Sequence, residues 1–556
     1  MKYMKKNKFL FITIIIITSI MVFFINQKKG FHEDEIFSYG SSNYKYDNVF
    51  RSFGYAEAIQ DILYNQILKG NIIDIISNTV EYIKDNNYFE KDAQLAKEEP
   101  VFRTKEEALE YLAIDNIDIF NYFSVYYNQA RDVHPPLFYF LVHFVSTFFY
   151  KEFSKYIIFI INILFFIGTL IMIKKILSLL KQDKLTIPTI ILYGCSTGAI
   201  STVMFQRMYM LLTFFCVTYL YLTFKLIKNN FNFEKKWWMI TIILGFLTQY
   251  YFCIYIVIIF TIISIYLLKN KDYKKWFNYL KTHIISAVIG VVIFPFSIYH
   301  IFFSYRGINS TEGHAKNMLE NIDYYFSQIY KFFGLNNILL IIIILIIFTI
   351  TYKIIKKQKA IYKNKILNLC ILLIPIFIYI LIVSKTSPFY GEDYSSRYIM
   401  CLFPIISISI IYICSIIYKK SLLIALILSI TLSINGLINN TPVYLYKDNK
   451  YVLELAKQNE DKYFVYVYDN FFTHLSSLPE FLIYKESLII NANTNDFHIL
   501  NNDKLNNSNE FILCIKNWLN QEEILTKILN STNYTNIEVL LSIDKDIQST
   551  YYKIKK

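Results

Sequence analysis

Only fourteen glycines are spread over the 556 residues, and they do not gather into a loop that would cradle a nucleotide phosphate. The chain therefore carries no sign of a nucleotide or nucleotide-sugar site. Seven cysteines are present, but neither a disulfide framework nor a zinc spacing follows from them. Cys195, Cys216, Cys253, Cys370, Cys401 and Cys414 stand in or beside apolar runs, and only Cys514 lies in a polar segment. Internal repeats and low-complexity tracts are missing too, which excludes a solenoid. The basic, then apolar, N-terminus has no small-residue cleavage spacing before Asn26-Gln27-Lys28-Lys29, so it reads as an uncleaved anchor.

What the chain does have is apolar length. It is 55% hydrophobic and 18% aromatic with a positive mean hydropathy, far from the composition of a soluble globular protein. Runs of about 20 apolar residues, enough for a helix to cross the hydrocarbon, recur from residue 9 to about residue 438. Backbone polar groups must be satisfied internally there, so the runs are helices. The formal charge of +13 does not call for nucleic acid. The basic residues stand in short clusters between the runs, at the start and near 174–184, 225–236, 269–275 and 353–365, as the positive-inside rule places them.

Putting those clusters in the cytoplasm fixes the expected topology. Residues 9–26 exit, 31–134 form a large outer loop, and 185–226 and 237–268 are hairpins. Crossings follow at 284–303, 338–354, 366–384, 398–417 and 421–438, and the 137–150 run is short enough to be re-entrant. The expectation is a polytopic α-helical membrane protein of about 11 to 13 spans, its N-terminus inside and its C-terminus outside. Two domains are expected: 1–438, holding the spans and the 31–134 loop, and 439–556, a small extracytoplasmic α/β domain. Helical periodicity marks Tyr55–Leu68, Ile72–Ile83 and Lys105–Leu112 in the loop. The aromatics of Tyr324-Tyr325-Phe326 and Tyr330–Phe333 suit a headgroup boundary. In the tail, strands are expected at Tyr463–Tyr468, Ser487–Ile490, Phe511–Ile515, Ile537–Ile543 and Tyr551–Ile554, with helices near Tyr451–Gln458, Phe472–Ile483 and Gln521–Leu529.

Polar residues at the predicted outer face are the candidates for chemistry. Asp34 and Glu35, in FHEDEIFSYG just beyond the first span, are adjacent carboxylates whose repulsion would raise one apparent pKa and suit it to act as a base. Charges after a span also simply mark where it meets water. His134-Pro135-Pro136 imposes an extended entry to the next helix, because proline fixes φ and restricts its predecessor. Arg207 with Tyr209 stands at a hairpin tip, and Arg397 with Tyr398 at the outer start of another span. A guanidinium there either snorkels to water or donates its planar fork to an anion such as phosphate. The acidic pair could hold a divalent cation, but no full ligand set is visible.

The Asp34-Glu35 pair, HPPLFYFLVH from His134, QRMYMLL from Gln206 and SSRYIMCLFP from Ser395, in this order and on one predicted side, resemble the membrane-embedded glycosyltransferases of the GT-C fold that use lipid-linked sugars. The likeness is to the family 39, RgtA/B/C/D-like group of bacterial relatives of protein O-mannosyltransferases and of the aminoarabinose lipid A transferase. It covers residues 1 to about 438. It implies a polyprenyl-phosphate sugar donor, Asp34 as the base that activates the acceptor and Glu35 as its assistant. His134 would lie at the rim, and Arg207 and Arg397 near the carrier phosphate. The tail matches no domain of the family, and no β-trefoil repeats are present, so a protein acceptor is not implied. Three other readings stand beside this one: a lipid or polysaccharide transporter, a GT-C-like oligosaccharide polymerase or ligase, and an inactive envelope-assembly protein whose tail recruits a partner. A transporter would place ionisable groups deep in its spans, whereas here they gather at span ends and in outer loops.

Overall fold

The computed structural model describes residues 2–46, 69–85, 102–232, 234–304, 307–308, 318–334, 359–387, 393–417, 421–469, 471–493, 497–500, 502–545 and 547–556. They form two compact units, one of residues 1–26, 133–138 and 158–444, the other of 27–132, 139–157 and 445–556. This division differs from the expected boundary at 438/439, because the first loop and the tail share one sheet and fold together.

Eight helices among the described residues are long and apolar enough to cross a membrane: Lys8–Gln27, Lys155–Leu179, Tyr209–Lys228, Tyr251–Lys269, Tyr273–Ile293, Ile366–Thr386, Ser396–Ile416 and Leu422–Asn439. A ninth crossing exists if Asp183–Gly194 and Thr197–Met204, bent by 62°, are one broken span. The break has a local cause. Ser196 Oγ accepts the Ala199 N–H at 3.1 Å and starts a new helix, as serine does at an N-cap. The far end is closed by buried Asn162, whose amide donates to the Val203 and Phe205 carbonyls at 3.0 and 2.9 Å.

Three expectations are corrected. The crossing placed at 284–303 is Tyr273–Ile293, because Pro295 cannot continue the helix and its true start reaches back among lysines. The first arm of the 237–268 hairpin is the 12-residue helix Lys235–Phe246, about 18 Å long and too short to span. In Met318–Phe333 the residues Tyr325, Ile329, Phe332 and Phe333 are buried, and Tyr325 Oη meets Ser387 Oγ at 2.6 Å, so this aromatic face packs inward and is not a headgroup surface. The 137–150 run holds the short helix Leu137–Ser146. The expected 338–354 crossing and Tyr55–Leu68 helix lie outside the described residues.

The second unit is built on a six-stranded sheet: β1 (Phe102–Arg103), β2 (Tyr463–Tyr468), β3 (Glu486–Asn491), β4 (Glu510–Lys516), β5 (Asn536–Ile543) and β6 (Ser549–Lys555), in the order β1-β3-β2-β4-β6-β5. β2 runs parallel to β3 and β4, and the remaining pairings are antiparallel. β1 comes from the first loop and pairs Phe102 with Leu488. One face buries Val465, Val467, Leu488, Ile490, Leu513 and Ile515 against Ile524 and Ile528 of helix Gln521–Ser531, at the period of two that strands require. The other face is buried as well: the Phe464 ring stacks on Tyr484 at 4.4 Å and meets Phe481 edge-on. Burial on both faces explains why β2 reads YFVYVY without polar alternation.

On that second face Glu480 is buried and accepts the Tyr551 hydroxyl proton at 3.1 Å. Burial pushes its carboxyl up to about 7, with the Tyr551 bond and the Lys516 charge opposing the rise. The folded state thus holds the proton more tightly than the unfolded chain. This contribution is complete below about pH 4.5, declines as pH rises and is gone above about pH 7, a loss on the order of 3 kcal/mol. Glu480→Gln is expected to flatten the stability of the tail between pH 5 and 8, followed by amide exchange in β2 and β4. An unaltered slope in the variant would assign the titration to another group.

Candidate functional site

The candidate residues fall into two clusters, one in each unit. In the mixed unit the acidic sequence forms the first turn of helix Glu33–Asn43. His32 is its N-cap: its Nδ1 accepts the Asp34 N–H at 3.1 Å, while Glu35 Oε2 accepts the His32 N–H at 2.8 Å. Three carboxylates in the first turn complement the positive end of the helix dipole.

The adjacent carboxylates differ in their surroundings, and Glu35 is turned to a partner of its own. Glu35 is fully buried, and Lys28 Nζ donates to both of its oxygens, at 3.0 and 2.8 Å. Lys28 lies beside the faces of Phe31 and Tyr446 as well. Glu35 is thus a structural anchor with no surface to offer a substrate. Asp34 is the open member of the pair: its side chain is 27% exposed, with Oδ2 3.7 Å from His32 Nδ1. The far end of the helix is held by Asn128, which donates to the Ser41 and Tyr44 carbonyls, by Asn43 donating to Leu112, and by His143 against the Ser42 carbonyl at 2.7 Å.

In the membrane unit the structure brings together the other five candidates. The helix Tyr209–Lys228 packs against the tightly wound segment Asp393–Leu402, which joins Arg207-Met208-Tyr209 to Arg397-Tyr398. His134 Nε2 lies 3.5 Å from Arg207 Nη2. The Tyr209 ring meets Tyr398 edge-on at 6.4 Å, and Tyr251 meets it from another side at 5.4 Å. Arg397 lies over the Tyr398 ring at 5.3 Å. Phe205 stacks between Tyr209 and Tyr444, closing the floor with aromatic faces.

Arg207 is only 3% exposed, so it is not a snorkelling residue at an open tip. A guanidinium taken out of water is tolerated only where acceptors or an anion meet it. Two arginines and a histidine held on a tyrosine frame have the chemistry of an anion site, and arginine's planar fork suits phosphate oxygens. The prolines act as expected: helix Leu137–Ser146 follows them directly, and the Leu137 N–H donates to the Leu247 carbonyl at 3.0 Å.

Other histidines make local bonds, His283 to the Tyr219 hydroxyl at 2.8 Å and His300 to the Tyr250 hydroxyl at 3.0 Å. Among the described residues no group of three or more His, Cys, Asp or Glu is placed to hold a metal ion. Sequence reasoning gave no role to Lys28, His32, Tyr251 or Tyr446. The capping spacing His32-x-x-Glu35 was a usable signal for His32, whereas Lys28 and the tyrosines are known only from contacts between distant segments.

Compared with protein-family models and with curated protein sequences, the chain matches none. Among solved structures it is similar to the crystal structure of ArnT from Cupriavidus metallidurans bound to undecaprenyl phosphate, at 10% identity and a TM-score of 0.46, covering 75% of this chain and 87% of that one. It is likewise similar to ArnT of the same organism in the apo state, at 9% identity, a TM-score of 0.44 and the same coverage.

Proposed function

We propose that this protein is a GT-C-type glycosyltransferase of the cytoplasmic membrane, which moves a sugar from a polyprenyl-phosphate carrier to an envelope acceptor at the extracytoplasmic face. The observation that carries the reading is the cluster of His134, Arg207 and Arg397 on Tyr209, Tyr251 and Tyr398. It supplies cations for a departing phosphate, and the basic clusters between spans support an outward orientation. In the proposed reaction the acceptor oxygen forms a bond to the anomeric carbon as the bond from that carbon to the phosphate oxygen breaks. The electron pair leaves with the phosphate, held by Arg207 and Arg397, and the acceptor proton passes to Asp34. The donor is a phosphate diester and the polyprenyl phosphate monoester that departs is a weakly basic anion, so no general acid is needed, and direct displacement inverts the anomeric centre. Glu35 serves by fixing the helix that carries Asp34.

The test compares envelope glycans and lipid-linked sugars by mass spectrometry in a strain with and without the protein. Loss of one defined sugar together with build-up of its carrier is the expected result. A normal set of sugars retained on the inner face of the membrane would favour the transport reading instead. Arg207→Lys, which keeps the charge and loses the fork, is expected to raise the KM for the lipid donor by about tenfold or more with a smaller change in kcat. An unchanged donor KM would remove Arg207 from the phosphate site.

A further inference from the structure

The acidic helix does not stand on the first loop alone. The segment leading into it is tied to the start of the tail: the Lys29 N–H donates to the Leu445 carbonyl at 2.9 Å, and Lys28, the partner of Glu35, lies 5.1 Å from the centre of the Tyr446 ring. Gly30 is pressed onto Asn449, where a β-carbon would meet the Asn449 side-chain amide at 2.2 Å. Asn449 is itself buried, so a methyl at residue 30 has to displace this side chain within the packed unit. The helix Glu33–Asn43 then packs on the tail's Phe471–Ser477 turn, and β1 stitches the loop to β3. Charge follows the same path. Lys516, buried at the end of β4 with its Nζ donating to the Ile547 carbonyl at 2.8 Å, interacts electrostatically with Glu33 as well as with Glu480.

We infer that the tail, residues 445–556, is the positioning element of the acidic turn, with Gly30 and Asn449 as the contact that sets the direction in which Asp34 is presented. The functional meaning of this inference rests on the proposed transfer reaction. The tail is therefore part of the machinery and not an appended partner-recruiting module. At Gly30 the chain passes the Asn449 amide at a distance that leaves no place for a β-carbon unless that side chain moves. Gly30→Ala pushes the Lys28–Phe31 strap off the tail and turns the helix that follows.

The experiment uses the full-length protein in detergent or nanodiscs and compares Gly30→Ala, Asn449→Ala and the double variant. In Gly30→Ala, amide exchange across 33–43 is expected to quicken by at least about tenfold while β2 and β4 stay protected. Transfer kcat should fall by about 10- to 100-fold with the lipid-donor KM unchanged. In the double variant, removal of the Asn449 amide makes room for the new methyl, and both exchange and kcat should return toward the parent. The inference is overturned if exchange across 33–43 is unmoved by Gly30→Ala, if β2 and β4 open equally, or if Asn449→Ala gives no rescue. Exchange is read without turnover, so a parent protein that transfers no sugar would defeat the glycosyltransferase reading while the positioning of the helix is still decided.

Discussion

Asp34→Asn is expected to abolish most of the proposed sugar transfer while leaving the protein folded, with a loss of about 10²- to 10⁴-fold, the usual contribution of a positioned general base. Asparagine has the same shape, and its amide cannot take the acceptor proton. The expected structural cost is small: losing one carboxylate from the first helical turn costs about 0.3–1 kcal/mol, and the two capping hydrogen bonds of His32 and Glu35 are made to the Asp34 and His32 backbone N–H groups. Activity and stability therefore separate. The measurement is the envelope glycan and carrier-lipid profile at matched protein level, paired with thermal melting. A normal profile from a strain carrying only Asp34→Asn would take Asp34 out of the chemistry.

Glu35 behaves in the opposite way. Glu35→Gln leaves the Lys28 ammonium buried without its counter-charge, for which the expected penalty is about 3–5 kcal/mol. The Phe31 and Tyr446 faces offset this only in part, since a desolvated cation on an aromatic ring is worth about 2 kcal/mol. Lys28→Met should cost a similar amount by stranding the carboxylate. The double variant Lys28→Met/Glu35→Leu should recover most of the loss, because a buried ion pair replaced by packed apolar groups is often neutral or stabilising. Denaturation of the parent, Lys28→Met, Glu35→Leu and the double variant, followed in the 27–132 and 445–556 unit, gives the coupling, with Glu35→Gln as the near-isosteric control. A single variant within about 1 kcal/mol of the parent would mean that water reaches the pair.

Much of the fold was legible wherever local pattern decides structure. β2 occupies the expected Tyr463–Tyr468, the helix Lys105–Leu112 matches residue for residue, and the other tail strands differ by a residue or two at their ends. These segments carry their own periodicity. The span at Tyr273–Ile293 was misplaced because Lys274, Lys275 and Lys281 resemble a loop in a hydropathy scan, although a lysine stem can lie along an apolar helix with its charge in water. β1 was invisible, since two residues hold no period. In the candidate site the residue types were legible at His134, Arg207, Tyr209, Arg397 and Tyr398, which the structure gathers in one place. The difference between Asp34 and Glu35 was not, because it depends on Lys28 folding back to take both oxygens of Glu35.

The β1–β3 pairing has a consequence for the order in which the molecule is born. Phe102–Arg103 leave the ribosome early and Ser487–Leu488 very late, with every span after the first made between them. At about 5–20 residues per second, the early strand waits on the order of tens of seconds for its partner. Leu445, Tyr446 and Asn449 reach the Lys28–Gly30 strap only toward the end of synthesis. A nascent chain truncated anywhere before them carries the acidic turn without the surface that holds it, so the turn is fixed only as the last fifth or so of the chain is made and stays unfixed in every unfinished copy.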